Sequence, residues 1–334
     1  MKILVTGGAG YIGSITATAL EQYGHTPIIM YSLLSGPRVF TRNRIFYDGD
    51  IVDRSFIQKI FEEHPDIECT IHMAARIVAP ESVAEPYEYY RDNVAKSLEL
   101  FDQLGRLGQS RIIFSSSASV YAAAKSFEVF EDSPLDPQSP YARTKQVMEM
   151  ILADLAASGP LRAIILRYFN PIGSDPYLRS GVYAREPSHV LGQILMAARG
   201  QREAFMVTGT DYPTRDGTGL RDYIHVWDLA LAHVRAVERF DEVLQRAGEP
   251  TSIINLGTGS GVTVRELIST VERVLGRRVP VRDAPRRPGD VVGSFANVDK
   301  ARTTLNWSTQ HSLEDGVRSA LEWAAKRKDI LGYE

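Results

Sequence analysis

A single cysteine, Cys69, stands in the whole 334-residue chain, so no internal disulfide is possible. It lies in an apolar run and reads as a small buried residue, in a chain suited to a reducing, cytoplasmic setting. An excess of one charge is missing as well. The formal net charge is −3, without the basic surplus that a nucleic-acid binder carries. Nor is there an apolar run of bilayer length. Lys2 leads into a strand of a few residues and then glycines, so neither a signal peptide nor a membrane span is read there. Heptads, internal repeats and low-complexity tracts are lacking, and no metal site is expected. What remains is ordinary for a globular protein: 44% hydrophobic and 24% charged residues, enough for a large core in one big domain or two interlocked ones.

The most informative stretch is Thr6-Gly7-Gly8-Ala9-Gly10-Tyr11-Ile12-Gly13. An apolar run, Lys2-Ile3-Leu4-Val5, precedes it with the length and branching of a buried strand, and Tyr11 to about Tyr23 reads as a helix. Strand, glycine turn and helix together predict dinucleotide binding. Gly7 and Gly8 allow a tight turn, Gly10 lets a pyrophosphate approach the backbone, and Gly13 lets the helix pack on the strand. The N–H groups of Tyr11, Ile12 and Gly13 then face the phosphates at the positive end of the helix.

Further strands are expected at Thr26–Tyr31, Ile45–Ile51, Cys69–Ala75, Arg111–Ser115 and Leu161–Tyr168. Helices are expected at 54–63, Tyr87–Leu104 and from Tyr141 onward. This alternation implies an α/β, doubly wound parallel sheet. Asp50 and Ile51 end the third strand where an adenine could be met, although a solvated turn aspartate fits the spacing equally. Met73, Ala74 and Ala75 are small enough at the end of the fourth for a cofactor to come close, and Asn93 lies on the helix that follows. His72, alone in an apolar strand, reads as a hydrogen-bonded core residue. After Asn170-Pro171 the pattern breaks into loops, then helices near Val190–Arg199, Val226–Phe240, Thr263–Leu275 and Ser312–Lys326 with short strands. Residues 1–170 are thus expected to form the cofactor-binding domain. Residues 171–334 are expected to form a smaller mixed α/β substrate lobe interlocked with it, some segments returning to the first domain.

Ser117, Tyr141 and Lys145 carry the expected chemistry. Tyr141 and Lys145 are four apart and share a helix face. A phenol has an ordinary pKa of about 10. A neighbouring ammonium favours the phenolate, so the tyrosine can act as general base on a sugar hydroxyl while the serine orients the same proton.

These residues resemble those of the UDP-glucose (UDP-galactose) 4-epimerases, within the extended short-chain dehydrogenase/reductase superfamily. The likeness runs nearly end to end. Its most specific parts are Asp211-Tyr212-Pro213-Thr214, Asp216-Gly217-Thr218-Gly219 and Arg221-Asp222-Tyr223-Ile224-His225-Val226. The resemblance implies a Rossmann-type fold, bound NAD, a nucleotide-sugar substrate and inversion at C4 through a transient 4-keto sugar, with a homodimer built on helices near Tyr87–Leu104 and Tyr141–Ala157. It also implies that Ser115, Tyr168, Tyr141 and Lys145 contact the cofactor. Ser117, Tyr141, Asn170, His189, Val190, Met206, Thr208, Arg221, Arg287, Asp290 and Ser294 would contact the substrate, the two arginines clamping the diphosphate.

The chain departs from that pattern at three places. Tyr31 replaces the acidic residue that usually holds the adenosine ribose, and Ile77 replaces a lysine near the pyrophosphate, so NAD is expected to be held less well or differently, with NADP left open. Ser188-His189 and Thr208 alter the base pocket. Ser294 is small where a residue gates the C2 substituent of the sugar. A keto-sugar reductase and a non-catalytic nucleotide-binding protein stay open as alternatives. A 4,6-dehydratase would need an acid–base pair where Ala118 and Ser119 stand.

Overall fold

The structure is a computed structural model that describes residues 1–32, 36–286 and 292–333. The chain begins with β1 (Lys2–Thr6), α1 (Tyr11–Gln22), β2 (Thr26–Tyr31), β3 (Ile45–Asp48), α2 (Arg54–Glu63) and β4 (Ile67–His72). It continues through α3 (Ala79–Ala84), α4 (Pro86–Tyr90), one π turn (Arg91–Ala95), α5 (Lys96–Arg106), β5 (Arg111–Ser117) and β6 (Glu128–Val129). Then come α6 (Pro140–Ser158), β7 (Arg162–Tyr168), β8 (Asn170–Ile172), α7 (Val190–Ala198), β9 (Phe205–Thr208), β10 (Leu220–Arg221) and β11 (Tyr223–His225). The last part comprises α8 (Val226–Glu238), α9 (Phe240–Ala247), β12 (Thr251–Leu256), β13 (Val262–Thr263), α10 (Val264–Leu275), β14 (Val281–Ala284), β15 (Gly293–Ala296), α11 (Asp299–Leu305) and α12 (Leu313–Leu331).

Seven strands form one parallel sheet in the order β12-β7-β5-β4-β1-β2-β3. Alternation along β1 sends Ile3 and Val5 to one face and Leu4 to the other. The first face packs on α1 and on Trp227 and Leu229 of α8. The second packs on Ile57, Leu100, Phe101 and Leu152 of α2, α5 and α6. Helices on both faces explain why these strands are almost purely apolar. Each Leu or Ile buried here is worth about 1.5–3 kcal/mol.

The chain reverses its order between β1 and β4. In open parallel sheets ligands lie beyond the carboxyl ends of the strands at such a point. Thr6, Tyr31, His72, Ser117 and Tyr168 all end strands of this sheet on that edge.

Several elements differ from expectation. The single helix expected over Tyr87–Leu104 is α4, a π turn and α5. The π turn turns Asn93 inward, where its side chain accepts from Arg76 N–H at 2.7 Å and donates to Arg76 C=O at 3.0 Å. β3 stops at Asp48, and at Gly49, which follows, the Phe56 ring packs so closely that an added Cβ would lie 2.2 Å from it. β4 stops at His72 and β5 runs on to Ser117. Among the segments expected to return to the first domain, the outer strand beside β7 is β12, whose bounds were not predicted.

Small sheets follow, β13-β10-β15-β6, β11-β8 and β14-β9; Leu191, Ile194, Val207, Leu267 and Val271 form one core among them, and Val129 of β6 and Ala296 of β15 pack in another with Val120 and Phe169. The Tyr11 hydroxyl donates to Gly173 C=O at 2.7 Å, tying the start of α1 to this part. Among the described residues no helix is long and apolar enough to cross a membrane.

His72, His225 and His233 are buried, and desolvation pushes their pKa values down to about 3, about 4 and about 4. An unfolded histidine titrates near about 6.5. Below that value the unfolded chain binds protons that the native chain refuses. The stability due to these neutral rings is therefore complete above about pH 6.5 and is lost as the pH falls toward 4. His311 works the other way: its hydrogen bond to Asp228 raises its pKa, so its contribution fades as pH rises through the folded value. With His189 shifted down to about 4 as well, four rings stand against one, and thermal denaturation is expected at lower temperature at pH 5 than at pH 7. Scans of His233→Gln should show a shallower dependence; an equal slope would contradict the assignment.

Candidate active site

The glycine turn follows directly from β1. Gly7 has φ +76°, and a Cβ there would lie 2.7 Å from Ala74 N. A Cβ on Gly13 would lie 2.3 Å from Gly7 O, so only glycine lets α1 begin this close to the strand. Gly10 caps α1 without any side-chain hydrogen bond, which leaves the first-turn N–H groups of Tyr11, Ile12 and Gly13 directed beyond the helix. A Cβ on Gly10 would meet only Gly7 O at 3.1 Å and the Tyr31 ring at 4.0 Å. This open, glycine-lined helix start fits a dinucleotide pyrophosphate.

Beneath the turn, Thr6 Oγ1 and His72 Nδ1 lie 2.7 Å apart, and His72 Nε2 lies 2.9 Å from Ser97 Oγ. His72 is thus a core hydrogen-bonding residue. Tyr31, in place of an acid, accepts the Gly36 N–H at 2.8 Å and so fastens the chain after β2. Asp50 pairs with Lys96 at 2.5 Å and accepts from Val52 N–H at 3.2 Å, as a turn aspartate does. Ile51 is buried below it. Met73 continues β4 through its N–H to Thr6 C=O at 3.1 Å, and Ala74 and Ala75 follow. Ile77 is 65% exposed, and it is its neighbour Arg76 that is engaged, in ion pairs with Asp92 and Glu81 at 2.8 and 2.9 Å.

Ser117 closes β5, and Tyr141 and Lys145 begin α6. Pro140 at the first helical position and the Ser139 side chain, which accepts from Ala142 N–H at 3.2 Å, fix where α6 starts. The Ser117 side chain faces the Tyr141 phenol as its hydrogen-bonding neighbour and lowers its pKa. Ser119 donates to Ser117 Oγ through its hydroxyl at 2.9 Å and its N–H at 3.2 Å. The Lys145 ammonium is buried, donates to Ser115 C=O at 2.8 Å and lies 5.0 Å from the centre of the Phe114 ring. Tyr168 hydrogen-bonds Ser115, and burial raises the pKa of its phenol.

Tyr141 and Lys145 share a helix face but engage different groups of the β5 end, the phenol Ser117 and the ammonium the Ser115 carbonyl. Burial raises the Tyr141 pKa, and only the Ser117 hydrogen bond opposes that. Burial also pushes Lys145 down to about 8, with the Glu149 carboxylate opposing.

The expected substrate residues are less tightly gathered. Asn170 donates to Asp222 C=O at 3.2 Å. Arg221 stands opposite Ser294 in the β10–β15 pairing and donates to the carbonyls of Leu220 and Val292 at 2.7 and 2.8 Å. Met206 and Thr208 lie on β9. His189 caps α7 by accepting the Gly192 N–H at 3.2 Å, and Val190 is the first residue of that helix. Arg287 and Asp290 lie outside the described residues. The sequence reading overlooked Glu149 and Arg167, a buried pair under Lys145. The spacing 141, 145, 149 on one helix face was the available signal.

Known proteins resemble the chain over nearly its whole length. The model of the family described as "NAD dependent epimerase/dehydratase family" matches residues 3–257. A UDP-glucose 4-epimerase of Rhizobium leguminosarum bv. trifolii is 41% identical over 324 residues, covering 97% of each chain. One of Bacillus subtilis (strain 168) is 39% identical, with 100% of this chain and 99% of the relative covered. Among solved structures, a Stenotrophomonas maltophila UDP-glucose-4-epimerase with bound NAD and formylated UDP-arabinopyranose superposes with a TM-score of 0.92 at 38% identity, covering 98% of this chain and 99% of the other. A Bifidobacterium longum enzyme in complex with NAD+ and UDP gives 0.91 at 34% identity, over 99% and 100%. With its glycine turn, its Ser117–Tyr141–Lys145 cluster and these relatives, the chain belongs to the NAD-dependent epimerase/dehydratase family.

Proposed function

We propose that the protein is a nucleotide-sugar 4-epimerase that interconverts UDP-glucose and UDP-galactose with NAD bound at the glycine turn. The observation that carries this is the hydroxyl pair of Tyr141 and Ser117 beside the buried Lys145, at the strand ends next to the open start of α1.

Gly7, Gly10 and Gly13 with the start of α1 would hold the pyrophosphate, and Tyr141, Lys145 and Tyr168 line the nicotinamide end. NAD supplies a reversible hydride acceptor for the sugar C4. Tyr141 takes the O4 proton and returns it, which conserves protons over the cycle. Ser117, fixed from behind by Ser119, directs the lone pairs and proton of that phenol. Lys145, its ammonium set by the Ser115 carbonyl, would hold the nicotinamide ribose. The side chains of Asn170 and Arg221 would receive the sugar and diphosphate. Ser294 stands beside Arg221 and is small, which supports a second substrate class with an N-acetyl group at C2.

Exposed apolar residues on the helices flanking the site support a homodimer. Tyr87 and Tyr90 are 72% and 39% exposed, Leu98 39% and Met150 60%. The lone buried thiol supports a reducing, cytoplasmic location.

Three outcomes follow. Tyr141→Phe should fold normally and lose about 10²–10⁴-fold in turnover of UDP-glucose, read by coupled assay, since general acid–base groups contribute about that much; undiminished turnover contradicts the role. Mass spectrometry of the denatured protein should detect released NAD, and Gly13→Val should abolish it, because the new side chain meets the Gly7 carbonyl. Met150→Glu should shift the protein toward monomer in sedimentation; an unchanged dimer would place the interface elsewhere.

A further inference from the structure

Glu149 lies on α6 two turns from Tyr141 and one from Lys145, so all three share a face of the helix. Glu149 and Arg167 are 5% and 2% exposed. Glu149 accepts from Arg167 Nε at 2.9 and 3.2 Å, from Arg167 Nη2 at 2.5 Å, and from the Ser116 hydroxyl. Arg167 donates from Nη1 to Glu131 C=O at 3.1 Å and lies 4.9 Å from the centre of the Tyr121 ring. Tyr121 in turn donates to Asn255 Oδ1 at 2.6 Å.

Such a pair is not explained by stability. An apolar pair of similar volume would fill the same space without the cost of dehydrating two charges. Its position points to another use. Ser116 is flanked by Ser115, whose carbonyl holds the Lys145 ammonium, and Ser117, which bonds Tyr141.

We infer that Glu149, held by Arg167, is a positioning residue that anchors the end of β5 at Ser116 and keeps Lys145 charged beside Tyr141. This rests on the catalytic reading of Lys145 given above. The groups facing Lys145 agree with it. On α6 these are Tyr141 and Glu149. β5 offers only the Ser115 carbonyl and the Phe114 ring. His72, from β4, is neutral at working pH, its pKa being pushed down to about 3. From β7 come the neutral phenol of Tyr168 and the Arg167 guanidinium, paired with Glu149. Beyond Arg167 stand Glu131 and Lys300. The Glu149 carboxylate is therefore the anionic group that offsets the burial of the ammonium.

The test uses the full-length protein with its lysines labelled at 13Cε. The Lys145 signal, assigned through Lys145→Arg, is titrated by NMR alongside steady-state turnover of UDP-glucose. In Glu149→Gln the Lys145 midpoint should fall by about one pH unit, the lower end of what one nearby charge does. Here kcat should drop about tenfold or more, with KM little changed. Because that variant leaves Arg167 buried without its partner, Glu149→Gln/Arg167→Met is measured too. It should regain thermal stability while its Lys145 midpoint stays below that of the parent and its turnover stays low. An unmoved midpoint in either folded variant overturns the inference, as does recovery of turnover together with stability in the double variant. Full activity of Lys145→Arg would instead overturn the catalytic reading of Lys145 beneath it.

Discussion

The site depends on how α6 meets the end of β5. Ser139 and Pro140 set the first turn of α6, and from there one helix face delivers Tyr141, Lys145 and Glu149 in succession to Ser117, Ser115 and Ser116. Each of three consecutive strand residues thus meets one of three residues spaced by a helical turn. A slip of one residue in either element would part every pair at once. The parallel neighbours of β5, β4 and β7, prevent that slip, because both are hydrogen-bonded to it in register and buried on both faces.

The polar groups beneath the site are paired in the same spirit. Thr6, His72 and Ser97 support the glycine turn, and Asn93 clamps the backbone that follows β4 while donating to Thr144 at 3.1 Å. Paired polar groups in a dry interior fix one arrangement, since any alternative strands a donor or acceptor. Among these groups, burial brings the pKa of Lys145 down to about 8.

Much of this was legible in the residues. The branched apolar runs marked β1, β2 and β7 almost to the residue, and the glycine turn and the Tyr141–Lys145 spacing identified the two halves of the site. What escaped was set by distant partners. β12 is a strand because β7 lies beside it, about ninety residues earlier in the chain. The π turn exists because Asn93 reaches Arg76, and a helical pattern from 87 to 104 carries no trace of that demand. The pattern placed Lys145 on the face of Tyr141 correctly. Which acceptor the ammonium would choose was decided by the Ser115 carbonyl, which no spacing reveals. Glu149 was overlooked because a carboxylate on a helix reads as solvated until Arg167 is seen to bury it.

The central claim is that one site removes hydrogen from the sugar C4 and gives it back to the other face. Incubation of the purified protein with UDP-glucose carrying deuterium at C4 measures this directly. The account predicts UDP-galactose with the deuterium retained at C4, without wash-out to solvent and without added cofactor. Loss of the label to solvent, or product formed only when NADPH is supplied, would contradict it.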